Sequence, residues 1–440
     1  MLAKVFTSFR TARHSLGKSE AGNVLMIVAL ALPVLLGIAG LGIEGSNWFT
    51  TRHDMQNAAD AAVLAAATNN TSNYLNEARA MGMQYGFTNG SDDATVTASN
   101  AATCPAGGTD CYSVTITKKL SLVFAQVLGF SGNTTVGTSN GIQLSVTAIA
   151  KKTTIPREYC ILTLGNGTTT SQDFRANGAS SANLSGCNIA SNTSMNCNGH
   201  DTGADHADAV GVANDCGADR TSGISPVTDN WSAKNSNIPA NPCSSYSGVN
   251  WSSNQTLSGA RNICGTLTLT ADLTVSGSGQ IIIWNGDLDL NGKNLVGASG
   301  AEITIIFAGT NAANISHTIK DSGGGQSHAT LDIAAPASTS TSVWKGIAIY
   351  QATNLTQNVS FTFSGNKPTF NLTGMVYMPH ADITISGIVN KSTNGYSCFT
   401  MVSQSLLVNG TAQILSRGEC AQAGVTTPTA NITGRTYLVD

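Results

Sequence analysis

The 440-residue sequence predicts a single N-terminal transmembrane helix, then a small α+β domain, then an all-β domain. Three observations predict this fold class. A run of twenty uncharged, almost wholly apolar residues lies near the start, a helical pattern of small apolar residues follows it, and short alternating segments fill the second half. We place a basic leader at 1–22, the transmembrane helix at 23–44, the α+β domain at 45–155 and the β domain at 156–440.

The apolar run Val24–Ile43 has the length of a membrane span. In a helix that rises about 1.5 Å per residue it extends for roughly 30 Å, the thickness of the hydrocarbon core of a bilayer. No acidic residue precedes Glu20. The leader contains four basic residues: Lys4, Arg10, Arg13 and Lys18. Because cationic flanks stay in the cytoplasm, we expect the N-terminus there and everything after Glu44 to be exported.

A cleaved secretory signal is the alternative interpretation of this run. Gly37, Ala39 and Gly40 are small enough to provide a small-x-small cleavage site. The run is longer than the apolar core of a typical signal, about 7 to 15 residues, which favours a retained anchor. Pro33 lies in the middle of the run and predicts a kink in the helix, since lipid offers the backbone few alternatives.

Cysteine usage and charge agree with an exported location. All ten cysteines follow the apolar run, and an even number in an oxidising compartment predicts disulfides. Cys104 with Cys111 and Cys398 with Cys420 are candidate pairs, although spacing cannot fix the connectivity. No CxxC pair or Cys/His cluster of zinc spacing occurs, so we predict no metal–sulfur site.

The charge balance argues against a nucleic-acid partner. Charged residues make up 11% of the sequence, against about 25% in typical proteins. The leader holds four of the 22 Lys and Arg and one of the 25 Asp and Glu, Glu20, which leaves 18 basic against 24 acidic residues. The exported part is therefore net acidic, and it has no basic patch with interleaved aromatic residues.

The helix is expected to continue beyond the span from Ser46 to about Tyr85, with an interruption at 69–72. Trp48 and Phe49 lie where aromatic side chains meet lipid headgroups, so we assign them to the membrane interface. A weakly apolar face of small side chains follows. It comprises Met55, Ala59, Ala62, Val63 and Ala66.

The next segments complete a small α+β domain. Alternation predicts strands at Ala94–Ser99, Tyr112–Lys118 and Ile142–Ala150, and helical spacing predicts a short helix at Leu120–Phe130. We expect their sheet to cover the exported end of the long helix.

The β domain contains many segments with two apolar residues around one polar residue, as in Leu267–Leu269, Leu331–Ile333 and Ile383–Ile385. This is the pattern of a three-residue strand with one buried face. Stacked in parallel coils, such strands share one core of Val, Ile and Leu. The pattern therefore favours a right-handed parallel β-helix, with a β-sandwich as the alternative.

Two acidic clusters are candidates for a metal site and a catalytic site, but each also has a purely structural interpretation. The stretch His200–Asp208 could bind a divalent cation, but its spacing matches no metal motif, so we favour a polar loop and assign no metal. Asp287 and Asp289 are about 7 Å apart on a strand, a separation that suits glycoside hydrolysis. We favour solvent-facing positions for both and predict no catalytic residue and no cofactor.

Aromatic residues could stack on sugars, although core packing is favoured for the four tryptophans of the β domain. These are Trp231, Trp251, Trp284 and Trp344.

The segment Gly22–Thr68 resembles a known family. Two parts of it are similar to the N-terminal region of TadG-like proteins of the bacterial tight-adherence (Flp) pilus system. These are the end of the apolar run, Gly40–Glu44, and the alanine-rich segment Gln56–Ala62. Less specific similarity to the C-terminal region of some TadG-like proteins covers most of 157–440. The resemblance implies a pilin-related, single-pass inner-membrane protein of pilus assembly and surface attachment. Type IV prepilins carry Glu at the position of Ile27, so peptidase processing is not predicted.

We therefore expect a non-enzymatic pilus-assembly protein whose partners are membrane lipid and either other assembly proteins or further copies of itself. Gly37, Gly40 and Ala59 are the candidates for close helix packing, because packing drives helix pairing in lipid. The rival hypotheses are an envelope adhesin or glycan-binding module and, less favoured, a β-helix carbohydrate-active enzyme.

Overall fold

The computed structural model describes residues 20–68, 73–177, 188–198, 203–311, 315–323, 329–356, 359–363, 369–385, 388–409, 413–414 and 418–439. The chain divides into two compact units. The first comprises the chain up to Thr154 together with Thr433 onward, and the second is Ile155–Ile432. The second unit is therefore inserted into the sequence of the first. This corrects the expected β domain at 156–440, whose last residues belong to the first unit.

Two α-helices begin the first unit: α1 (Glu20–Thr68) and α2 (Tyr74–Gln84). The apolar run and the alanine-rich segment after it form one helix, α1, with Pro33 inside it. Alanine is the best helix former, which explains why the helix persists beyond the apolar run. The interruption expected at 69–72 lies outside the described residues, although α1 ends and α2 begins on either side of it.

The sheet of the first unit is antiparallel in its described pairs. Its strands are β1 (Ala94–Ala102), β2 (Cys111–Ser121), β3 (Thr134–Val136), β4 (Ser139–Glu158) and the C-terminal strand Thr429–Leu438. Their order is β1, β2, β4 and the C-terminal strand, with β3 paired to β4. The last strand of the chain thus completes the first sheet, a pairing that strand patterns alone do not reveal.

The helix predicted at Leu120–Phe130 is wrong. Leu120 belongs to β2 and lies opposite Ile142 of β4. Only Ala125–Leu128 is helical, as a short 3-10 turn. Gly129 ends this turn with a φ of +83°, a left-handed conformation that glycine adopts without strain.

The core of the first unit lies between one face of α1 and the sheet. The buried helix residues are Met55, Ala58, Ala59, Ala62, Val63, Ala66 and Ala67. They form one cluster with Val96, Val114, Ile116, Val146 and Ala148 of β1, β2 and β4. The small side chains let the helix approach the sheet closely, so the apolar face predicted beyond the span covers the sheet as expected.

The described part of the second unit is built from strands of 2 to 17 residues. They are β5 (Ile161–Thr163), β6 (Gln172–Asn177), β7 (Asn188–Ser191), β8 (Ser194–Asn196), β9 (His206–Ala209), β10 (Ala213–Asn214), β11 (Asp219–Ser222), β12 (Val249–Trp251), β13 (Gln255–Cys264), β14 (Leu267–Leu269), β15 (Leu273–Trp284), β16 (Leu288–Asp289), β17 (Leu295–Gly297), β18 (Glu302–Ala308), β19 (Ile319–Lys320), β20 (Thr330–Ala334), β21 (Ile347–Gln351), β22 (Val359–Phe363), β23 (Thr369–Ile385), β24 (Ile388–Asn390), β25 (Phe399–Asn409) and β26 (Gln413–Ile414). The C-terminal strand of the first unit is then β27. The predicted strand Leu267–Leu269 is β14, and both of its leucines are buried.

The described strand pairs of the second unit are parallel. This differs from the antiparallel sheets of a β-sandwich. One continuous stack runs in the order β13, β15, β18, β21, β23, β25, β5, β7, β9 and β11. The first strand of the unit, β5, therefore lies in the middle of the stack and pairs with β25, near the end of the chain.

Four disulfides join described cysteines: Cys104–Cys111, Cys197–Cys216, Cys243–Cys264 and Cys398–Cys420. The first and last were the candidate pairs from spacing, and both are confirmed. The first bridges the ends of β1 and β2, and the other three lie within the second unit.

Candidate functional site

The apolar part of α1 is the feature most directly tied to function. Among the described residues, α1 is the one helix that is long and apolar enough to cross a membrane. Leu25, Leu30 and Ile38 are each more than half exposed within the chain. Apolar side chains exposed along a twenty-residue helical segment need an apolar surrounding, and lipid provides it.

A buried carboxylate marks the end of this apolar run. Glu44 is 7% exposed, and its two oxygens accept three backbone N–H bonds from the turn that follows β2. Val123 N donates to Oε1 over 2.9 Å, while Phe124 N and Ala125 N donate to Oε2 over 3.0 and 2.7 Å. Charge-assisted bonds of this kind are among the strongest in proteins. Glu44 therefore fastens the turn to α1 at the point where the apolar run ends.

Gly40 lies one turn before Glu44 on the same face of α1. A Cβ added to Gly40 would lie 2.5 Å from Cδ1 of Phe124. The ring of Phe124 thus occupies the space that a side chain at this position would fill. Gly37 is different, because a Cβ there would meet nothing within 4 Å. The structure uses Gly40 for a contact within the chain and leaves the surface at Gly37 open.

Ala59 is fully buried in the core of the first unit. Its small side chain contacts the chain's own core, so the expected packing of Ala59 against a partner helix is corrected to an internal contact. The periodicity identified the packing face, but it could not tell whether a partner or the chain's own sheet covers it.

The two aromatic residues assigned to the membrane interface have different surroundings. Trp48 is half-buried, and its ring centroid lies 6.3 Å from that of Phe130 in the turn after β2. Phe49 is 73% exposed. Both lie about one helical turn beyond Glu44, the level that the sequence assigns to lipid headgroups.

The acidic candidates of the second unit have structural partners. Asp208 is fully buried and accepts bonds from Arg157 Nη1, at 2.8 and 2.7 Å, and from the Tyr159 hydroxyl, at 2.8 Å. His200 and Asp201 lie outside the described residues. In the part of the chain that the structure describes, no group of three or more His, Cys, Asp or Glu could hold a metal ion.

Asp287 and Asp289 are buried, so their expected solvent-facing positions are wrong. Asp287 accepts bonds from Lys320 Nζ at 3.0 Å and Thr318 N at 3.2 Å. Asp289 accepts bonds from the backbone N and the hydroxyl of Ser322, at 3.0 and 2.6 Å. Buried carboxylates need such partners, and these two join the segment of β16 to that of its neighbouring parallel strand β19.

The four tryptophans of the second unit are buried, which confirms core packing as their favoured interpretation. Trp344 contacts Tyr350, and Tyr350 stacks on Tyr377 with ring centroids 4.8 Å apart. The Tyr377 hydroxyl donates to Asp229 Oδ2 over 2.8 Å. Burial raises the pKa of Tyr377 above its ordinary value of 10.0, and the Asp229 carboxylate raises it further.

A polar groove of about 700 Å³ lies in the second unit. Its lining includes Gln280, Glu302 and Trp344. Glu302 accepts a bond from the Ser340 hydroxyl at 2.6 Å. Since Trp344 is buried, it presents no open face on which a sugar ring could stack.

The bonds of Glu44 and the ring of Phe124 were not predicted from the sequence. The only sequence signal was the position of an acid directly after an apolar run, because the partners are about eighty residues away. Hydropathy therefore located the end of the span but not the turn attached to it.

Comparison with known proteins identifies the segment that contains this site. Residues 22–69 match the Tad family model, a Flp pilus-assembly TadE/G-like family. The searches of curated proteins and of solved structures found no match. The matched segment includes the apolar run, Gly40, Glu44 and the buried face of α1. Residues 22–69 are therefore similar to the TadE/G-like family of Flp pilus assembly.

Proposed function

We propose that this protein is a membrane-anchored, non-enzymatic component of Flp pilus assembly. The observation that carries the proposal is the match of residues 22–69 to a TadE/G-like pilus-assembly domain, over the same residues that form the exposed apolar helix. The protein crosses the bacterial inner membrane once, with the basic leader in the cytoplasm. The part of the first unit that follows Glu44 and the whole second unit lie on the far side.

The second unit serves as a scaffold outside the membrane. We propose that its parallel stack is a right-handed β-helix, since parallel crossover connections are almost always right-handed. Its buried carboxylates and aromatic residues are engaged in internal contacts, which supports a structural role over catalysis. Continuous parallel pairing through ten strands gives a long surface that other assembly proteins could contact.

Gly37 is the position from which we expect association with other assembly proteins or with further copies of this chain. It lies within the apolar run and its surface is open, so another helix could approach closely there. Gly42 is equally open but lies on a different face of α1, which makes it a matched control.

The test is made in the source bacterium. Deletion of the gene should abolish pilus assembly, and expression of the whole chain should restore it. Replacement of the apolar run by a cleaved signal should fail to restore it, because the released protein would lack its anchor. Full restoration by the released protein would contradict the anchoring role, and normal pili in the deletion strain would contradict the assembly role.

Topology and association need separate measurements. Protease added to spheroplasts should digest the chain beyond Glu44 and spare the leader. In crosslinking, Gly37→Leu should reduce the yield of complexes while Gly42→Leu leaves it unchanged; equal yields from both variants would refute the role of Gly37. Binding of the whole chain to a glycan array, with pili unaffected by the deletion, would favour the adhesin alternative.

A further inference from the structure

The turn after β2 exposes an unusual set of apolar side chains. Within residues 122–130 the exposed ones are Val123, Phe124, Val127, Leu128 and Phe130, and Val127 is 82% exposed. The nine residues contain no charged side chain. Single exposed apolar residues are ordinary on protein surfaces, but a contiguous group marks an interaction surface. We call residues 122–130 the apolar turn.

The apolar turn is held at the level where the span ends. Its backbone is bound by the Glu44 carboxylate, and the Phe124 ring packs at the position of the missing Gly40 side chain. Gly40 lies within the apolar run, about 6 Å along the helix axis before Glu44. The Phe124 ring therefore reaches back beside the last turn of the span.

The residues around the apolar turn indicate that lipid covers it. Phe124 of the apolar turn packs at Gly40, and Leu36 and Ile43 lie four residues before and three residues after Gly40, on the same face of α1. Both side chains are more than half exposed. The apolar surface of the turn is thus continuous with the surface that lipid covers. Trp48 extends it through its contact with Phe130, and tryptophan is enriched at the level of lipid headgroups. The three bonds to Glu44 satisfy both the carboxylate and the backbone N–H groups, a requirement near hydrocarbon.

We propose that the apolar turn inserts into the interfacial layer of the bilayer, so that the first unit contacts the membrane at two places, α1 and this turn. The inference rests on the membrane anchor of the proposed function but is independent of the role in pilus assembly. A second contact would fix the orientation of the first unit relative to the membrane, which a single helix does not do.

The test measures the depth of one labelled residue in the whole chain reconstituted into liposomes. Val127→Cys is labelled with the fluorophore NBD, and quenching by spin-labelled lipid and by aqueous iodide is compared. Asn100→Cys is the control, because Asn100 is exposed and lies near the opposite end of β1 and β2, about 30 Å from the turn at roughly 3.4 Å per residue. Leu36→Cys reports that the span itself is inserted.

We expect the label at position 127 to be quenched several-fold more by spin-labelled lipid than the label at 100, and several-fold less by iodide. Equal quenching at 127 and 100, with Leu36→Cys still quenched by lipid, would overturn the second contact while leaving the anchor intact. Protection at 127 that disappears when the protein is diluted in excess lipid would also overturn it, because a second copy of the chain would then cover the turn. Normal pili in the deletion strain would refute only the assembly role.

Discussion

Replacement of Glu44 tests the attachment of the apolar turn to α1. Glu44→Ala removes the acceptor of three backbone N–H bonds. A buried group left without a partner costs about 1–3 kcal/mol. The bond from Ala125 N is buried, whereas the other two are part-buried, so water can partly replace their acceptor. We expect the free energy of opening this turn to fall by about 2–3 kcal/mol.

Hydrogen exchange of the amides of Val123, Phe124 and Ala125 measures this change. At about 1.4 kcal/mol per factor of ten, exchange should accelerate roughly 30- to 140-fold in Glu44→Ala. Glu44→Gln keeps one carbonyl oxygen, so its effect should be intermediate. Asp54→Asn removes an exposed acid from the same helix and should change nothing. An Ala125 amide that exchanges at the wild-type rate in Glu44→Ala would refute the reasoning.

The remaining predictions concern packing, a buried ion pair and alkaline stability. Gly40→Ala should destabilise the first unit by about 1 kcal/mol in thermal unfolding, because the added Cβ would overlap the ring of Phe124. Gly37→Ala should leave the stability unchanged. Equal losses of stability in the two variants would exclude a steric cause. Asp208→Asn should cost about 3 kcal/mol, because it removes the charge of a fully buried carboxylate that pairs with Arg157, whose side chain is 15% exposed. Asp215→Asn breaks an exposed pair and should cost less than about 1 kcal/mol. The second unit should lose stability as the pH rises above about 10, because the tyrosines of the unfolded chain then release protons that Tyr159, Tyr350 and Tyr377 retain in the folded chain. Denaturation midpoints measured against pH should fall less for Tyr377→Phe than for the wild type. A wild-type midpoint that does not change up to pH 11 would contradict the raised pKa values.

Sequence patterns correctly predicted the helices and strands that depend only on residues close together in the sequence. The run Val24–Ile43 predicted a membrane-spanning helix because twenty uncharged residues in a helix match the thickness of the hydrocarbon core of a bilayer. The triplet Leu267–Leu269 predicted a strand because one buried face imposes a two-residue period. Local patterns failed at Leu120–Phe130, where the spacing of apolar residues imitates a helix. There, β2 extends through Leu120, and the exposed apolar residues that follow do not contribute to a helix–sheet core.

The sequence by itself determined the apolar span, strands such as Leu267–Leu269 with one buried face and the small-residue face of α1, because each follows from side-chain periodicity and hydropathy along a continuous segment. Only the tertiary structure decided which surfaces meet. It brought β27 to β4, β25 to β5 and the turn at Val123 to Glu44, and these partners are separated by tens to hundreds of residues. Pairing across such distances depends on the packing of the whole chain, which no local pattern encodes.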